Sequence, residues 1–229
     1  MLEPRDSTSE SYSELRGAMV RDHLAARGIR DRRVLAAMSA VPREEFVPLE
    51  IRSEAYTDRA LPIECGQTIS QPYTVAYMCQ ALKLRGSERV LEVGTGSGYG
   101  AAVLSRLAAE VVTVERIPEL ASTAAERLAQ LGYDNVQVHT ADGTLGWPLS
   151  GPYDAIVVTA AAAALPPAYL EQLKPDGRIV MPIGSLFNGQ TMCRLTRRGD
   201  DSVVEKLGPF AFVPLIGEQG WTSAEAATG

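Results

Sequence analysis

Residues 89–98 read Arg-Val-Leu-Glu-Val-Gly-Thr-Gly-Ser-Gly. RVLEV is short and largely apolar, as suits a strand buried on both faces of a sheet. Glycines at 94, 96 and 98 follow at once, letting the backbone turn sharply and approach a ligand closely. AAVLSRLA (101–108) then predicts a helix. Working outward, the alternation continues. EVVTVE (110–115) predicts a strand, IPELASTAAERLAQLG (117–132) a helix ending on Gly132, and NVQVH (135–139) and YDAIVVT (153–159) two more strands. PPAYLEQLK (166–174) predicts a proline-led helix and GRIVMPIG (177–184) a fifth strand. Strands and helices in turn argue a parallel sheet covered on both faces. QTMCRLTR (190–197) and SVVEKLGPFAFVPL (202–215) are expected to close it as antiparallel strands.

Upstream of residue 86 the texture differs. Residues 1–11 are polar and acidic and are expected to be a disordered tail. Tyr12 to Arg27 predicts a helix with Leu15, Met19, Val20 and Leu24 on one face and Gly28 as its stop. Asp31 to Ala40 predicts a short helix, 41–70 a long irregular stretch, and Gln71 to Leu84 a helix with Ser70 as N-cap and Pro72 in its first turn. The fold class expected is α/β: a doubly wound, mostly parallel seven-stranded sheet with an N-terminal helical cap. Residues 12–229 make one domain, with 12–85 as cap and substrate-loop region and 86–229 as α/β core and closing strands.

Composition narrows the function. With 22 Lys+Arg against 28 Asp+Glu, the net charge of −6 gives no support to a phosphate-backbone binder. Cysteines 65, 79 and 193 are too few and scattered for a disulfide framework, which suits a reducing compartment. Two histidines, His23 and His139, cannot build a His-rich metal site, so no metal is expected; His139 reads as a structural or surface residue. The longest apolar run, 155–165, falls short of a membrane span, and the N-terminus carries no apolar signal segment. A cytoplasmic protein with no nucleic-acid or membrane partner is expected.

Three features stand at successive strand ends: the glycine turn after Glu92, Glu115 twenty-one residues beyond Gly94, and Asp142-Gly143 after the third strand. Open α/β sheets bind ligands at such ends. A carboxylate at 115 can accept both hydrogen bonds of a ribose diol, and one at 142 can meet the amino edge of an adenine. Gly-Lys-Ser/Thr is absent after the glycines, so this is no P-loop. Tyr99 stands where the dinucleotide fingerprint G-x-G-x-x-G wants its third glycine, which disfavours a pyrophosphate ligand and an NAD-dependent enzyme. S-adenosylmethionine, which carries no phosphate, fits better.

The stretches QTISQPYTVAYM (67–78), RVLEVGTGSGYGAAVL (89–104), VERIPELA (114–121), ADGTLGWP (141–148), PYDAIVVTAAA (152–162), LEQLKPDGRIVMPIG (170–184) and FVPLIGEQGW (212–221) strongly resemble the protein-L-isoaspartate (D-aspartate) O-methyltransferase family. The glycine turn is common to many methyltransferases; TISQPY, DGTLGWP and VPLIG…GW are far more specific. The resemblance implies an enzyme that methylates the free α-carboxylate of isoaspartyl residues with S-adenosylmethionine, starting repair through a succinimide. It implies Ser70 as the active-site residue. It implies Glu92, Gly94, Gly96, Gly98, Glu115, Arg116, Asp142, Gly143 and Thr159 around the cofactor. It also implies Thr68, Ile69, Ser70, Tyr73, Ala160, Ala161, Pro182, Ile183 and Gly184 along the substrate, and a tail from Val213 to Trp221 folding over the cofactor. The partners implied are isoaspartyl peptides and unfolded or damaged proteins, and a monomer is expected.

The sequence departs from the family at Gly100, where Gln or a larger residue is frequent, at Ala163-Ala164 and at Lys-Pro-Asp-Gly 174–177. Gly100 is expected to loosen the first helical turn. An alternative reading is a methyltransferase of the same fold dedicated to one peptide or small-molecule carboxylate. A non-enzymatic adaptor is disfavoured because Ser70, Glu115 and Asp142 are all present. The chemistry asks little of acid–base groups: a carboxylate nucleophile is ionised at neutral pH, so the protein's task is alignment and desolvation. Ser70 is read as a positioning hydroxyl, although spacing alone makes it a plain helix N-cap.

Overall fold

The computed structural model describes residues 7–185, 189–199 and 201–227. Helix α1 (Ser7–Ala18) starts ahead of the expected Tyr12, so the tail expected over 1–11 is helical from Ser7. Its residues 1–6 lie outside the described residues. The helix runs into a π turn at Met19–Leu24 and a 3₁₀ turn ending at left-handed Gly28. Met19 and Leu24 are five residues apart, and the i→i+5 turn brings both to the buried side. Leu15, expected on that face, is 40% exposed instead.

Helix α2 (Arg32–Ala40) is capped by Asp31, whose carboxylate accepts from the amides of Arg33 and Val34. Such a cap is worth about 1 kcal/mol. Residues 41–70 hold short 3₁₀ turns and a two-stranded ribbon, β1 (Leu61–Pro62) with β2 (Thr68–Ile69). Helix α3 spans Pro72–Leu82.

Next come β3 (Arg89–Val93), α4 (Tyr99–Ser105), β4 (Glu110–Glu115), α5 (Pro118–Gln130), β5 (Val136–Thr140), β6 (Tyr153–Val158), α6 (Pro167–Glu171), β7 (Leu173–Ser185), β8 (Gly189–Arg198) and β9 (Asp201–Phe210). A final short helix, α7, covers Ser223–Ala227. The seven-stranded sheet has the order β5-β4-β3-β6-β7-β8-β9. The first five strands are parallel, while β7–β8 and β8–β9 pair antiparallel, as expected.

Alternate side chains of the central strands enter two cores. Val90, Val111, Ala155 and Val180 pack under α2, α3 and α4. Leu91, Val93, Val112, Val114, Ile156 and Val158 face Tyr169 of α6 and Tyr153. This double coverage explains the unbroken apolar runs of these strands. Because β4 and β6 flank β3 on opposite sides, the chain reverses direction across the sheet there, and a crevice opens at the carboxyl ends. Among the described residues, no helix is long and apolar enough to cross a membrane.

Candidate functional site

A cavity of about 850 Å³ fills that crevice, within the size range of small-molecule and cofactor sites. Its floor is the glycine turn with the ends of β4 and β6. The ribbon and start of α3 form one wall, and residues 207–216 form the other.

The glycine turn is locked from several sides. Gly94, Gly96 and Gly98 all have positive φ (95°, 53° and 91°), which L side chains rarely adopt. A Cβ on Gly94 would also stand 2.2 Å from the Thr159 hydroxyl oxygen, which lies 2.8 Å from the Gly94 carbonyl as donor. Glu115 is 7% exposed and holds the turn in place. One of its oxygens accepts from the Gly96 amide and the other from the Ile117 amide, both at 3.0 Å. Each oxygen keeps a lone pair for a diol. Arg127 of α5 donates to the Ser97 carbonyl at 2.8 Å.

Below the turn lies a buried hydroxyl chain. Thr113 donates its one hydroxyl proton to Glu92 Oε2 (2.7 Å), so the Thr95 hydroxyl, 2.7 Å from that of Thr113, must be the donor between them. Glu92 is 1% exposed. Burial pushes its carboxyl up to about 8, against the hydrogen bond from Thr113. At neutral pH it is therefore mostly protonated, and its Oε1 lies beside Gly100.

Ser70 lines the cavity, but it is not the N-cap of α3 as its spacing suggests. Gln71 is, at φ −48° and ψ 140°, because proline disfavours helical geometry in the residue before it. That displaces Ser70 one residue outside the helix and leaves its hydroxyl without a protein partner among the described residues. Its carbonyl accepts from buried Arg43 Nη2 at 2.8 Å. Thr68, Ile69 and Tyr73 line the same wall. The Arg27 guanidinium lies 3.9 Å from the centroid of the Tyr73 ring, and tilted ring contacts run from there through Tyr77 and Phe210 to Phe212.

Glu92, Gly94, Gly96, Glu115, Arg116, Gly143, Thr159 and Ala160 also line the cavity. Gly98 sits just behind it as the start of α4. Asp142 does not line it. One Asp142 oxygen accepts from the Thr144 amide and hydroxyl, and the other from the Glu218 amide of the tail, at 2.7 Å. Ala161 is covered by the chain's own tail: its amide donates to the Val213 carbonyl, and its carbonyl accepts from the Leu215 amide and the Trp221 indole. Pro182, Ile183 and Gly184 lie inside the sheet, between β8 and Ala162. Val213 to Ile216 reach the cavity, while Trp221 anchors the loop behind them. His139 stacks on Trp147 at 4.3 Å, away from the site.

Sequence reasoning missed Arg43 and the aromatic wall at Phe210 and Phe212. PFAF carried a signal, an apolar run at the end of the last strand. Arg43, in a loop with two glutamates, carried none, because its partners stand 12 and 27 residues away. Among the described residues, no group of His, Cys, Asp and Glu could hold a metal ion.

The family model described as protein-L-isoaspartate (D-aspartate) O-methyltransferase matches residues 15–220. A relative from Pelobacter propionicus, named protein-L-isoaspartate O-methyltransferase 2, is 56% identical over 90% of this chain and 92% of its own. One from Rhodopseudomonas palustris, named protein-L-isoaspartate O-methyltransferase, is 54% identical over 91% of this chain and 96% of its own. A solved structure of that name superposes with a TM-score of 0.81 at 32% identity, covering 90% of this chain and 67% of that one. A Plasmodium falciparum structure solved with S-adenosyl-L-homocysteine has the same fold, with a TM-score of 0.73 at 23% identity, over 90% of this chain and 98% of its own.

Proposed function

This chain belongs to the protein-L-isoaspartate (D-aspartate) O-methyltransferase family, and from that premise we infer how its cavity performs the family's reaction. The protein is an S-adenosylmethionine-dependent methyltransferase. It esterifies the free α-carboxylate of L-isoaspartyl residues in damaged peptides and proteins, and the ester recyclises to a succinimide from which normal aspartate is recovered.

The observation that carries the site reading is that the Ser70 hydroxyl and the Glu115 carboxylate open into one cavity at the switch point of the sheet. The residues suit the cofactor. Gly94, at φ 95°, holds the tight turn that brings backbone rather than a side chain to the cavity, and Glu115 has acceptor capacity left for a ribose diol. S-adenosylmethionine, when bound, supplies a methyl group on a positively charged sulfur. Gly94, Gly96, Glu115, Arg116, Gly143 and Thr159 would hold it. Asp142 supports the adenine side indirectly, by tying the tail against the site.

Ser70 is the residue that meets the substrate. Its unpartnered hydroxyl donates to one oxygen of the isoaspartyl carboxylate and leaves the other free to attack. No general base is needed, because the nucleophile is already ionised. Alignment supplies the rate, through near-attack geometry. Thr68, Ile69, Tyr73 and Ala160 bound the path of the peptide. Ala161, Pro182, Ile183 and Gly184 act one layer back, as the paired backbone on which that path rests. The protein works as a monomer in the cytoplasm, as one domain.

The test is methyl transfer from labelled S-adenosylmethionine to two peptides that differ only in an isoaspartyl or an aspartyl linkage. Base-labile label in the isoaspartyl peptide alone is expected, across unrelated flanking sequences. Activity on only one flanking sequence would favour the dedicated enzyme instead.

A further inference from the structure

Arg43 is fully buried, yet none of its partners is a carboxylate. Its Nε donates to the Ala55 carbonyl at 2.7 Å and its Nη2 to the Ser70 carbonyl at 2.8 Å. Its guanidinium carbon lies 4.7 Å from the centroid of the Tyr99 ring. Nη1 is buried with no hydrogen-bond partner. As a stability device this is poor, since a buried unpaired charge is costly and an apolar side chain would serve the packing as well or better.

Its geometry serves something else. Ala55 and Ser70 bracket residues 56–69, the segment that carries the β1–β2 ribbon. Tyr99 opens α4 directly behind the glycine turn. The flat fork of the guanidinium suits this task, because it fixes two carbonyls in one plane while its face rests on a ring. One side chain thus ties the end of the substrate loop to the floor of the cofactor site.

We propose that Arg43 is a positioning residue for methyl transfer: it sets Ser70 against the glycine turn without touching substrate or cofactor. The inference rests on the reading of Ser70 given above. A shift of about 1 Å at an aligned centre costs on the order of 100-fold in rate, so loosening the Ser70 carbonyl registers in turnover before it registers in binding.

The experiment compares Arg43→Lys and Arg43→Gln, each alone and combined with Ser70→Ala. It measures kcat on an isoaspartyl peptide and S-adenosyl-L-homocysteine affinity by calorimetry. Each Arg43 variant is expected to lose about 10- to 100-fold in kcat, lysine less than glutamine, with affinity kept within about twofold. In the Ser70→Ala background the further loss should shrink to about twofold, the ordinary tolerance of additivity. The same fold loss in both backgrounds would show that Arg43 acts independently of Ser70 and overturn the proposal. So would unchanged kcat, or failure of both variants to fold or bind the nucleoside, which would make Arg43 a stability residue. Full turnover in Ser70→Ala alone would strike the reading of Ser70 itself and take this proposal with it.

Discussion

Glu92 Oε1 occupies the space into which a side chain at position 100 would grow: a Cβ built on Gly100 would stand 2.2 Å from it. The glycine there makes room for a buried carboxyl beneath the glycine turn. Gly100→Ala would by helix propensity alone add about 1 kcal/mol. Overpacking against the buried Glu92 costs about 1–3 kcal/mol, so a lower melting temperature is expected. In a Glu92→Ala background the same change should raise it. A rise in the wild-type background would mean that Glu92 moves aside freely.

Glu92 also predicts a pH dependence. Folding raises its pKa from the ordinary carboxylate value to about 8, so the folded protein holds a proton that the unfolded chain releases. Stability from this group is complete below the unfolded value and falls as pH rises towards 8, by at most about 1.4 kcal/mol per pH unit. Glu92→Gln cannot ionise. Subtracting its stability curve between pH 5 and 8 from that of the wild type should leave this downward slope, and a flat difference would count against it.

Ser70→Ala removes a hydroxyl that lines the cavity and has no partner among the described residues, the one proposed above to meet the substrate. Turnover on isoaspartyl peptide should fall about 10- to 100-fold, while S-adenosyl-L-homocysteine binds nearly as in the wild type. An equal loss of both would mean that Ser70 supports the cofactor site generally.

Asp142→Ala should free the tail. It deprives the exposed Glu218 amide and both donors of buried Thr144 of their acceptor, a loss of about 1–3 kcal/mol for each Thr144 group left unpaired. Faster cleavage after Glu218 by a glutamate-specific protease is expected, together with weaker cofactor binding. Unchanged cleavage would show that the tail's other contacts, through Leu215, Gln219 and Trp221, hold it without Asp142.

Much of the fold was legible because its signals are local. The strands are apolar runs that need only their own residues to declare them, and the glycines at 94, 96 and 98 mark a turn that no other residue type makes without strain. The N-terminal helix was harder to place. A period of 3.6 put Leu15 on the buried face, whereas the π turn at Met19–Leu24 reset the face after it, and a π turn has no reliable signature in residue types. Ser70 was found through its motif, while its position outside the helix followed from Pro72, a constraint one residue further along than the capping rule looks.

Sequence alone determined the α/β class, the order of strands and helices, the glycine turn and the family, because each is written in short spans of residue type and spacing. Tertiary structure alone decided which candidate residues share the cavity. It turned Asp142 towards the tail, paired Ala161 with Val213 and Leu215, and left the Ser70 hydroxyl free. It also drew Arg43 to two carbonyls and a ring far along the chain. Those outcomes depend on where non-local backbone carbonyls and amides come to rest once the sheet closes, and composition and periodicity carry no record of that.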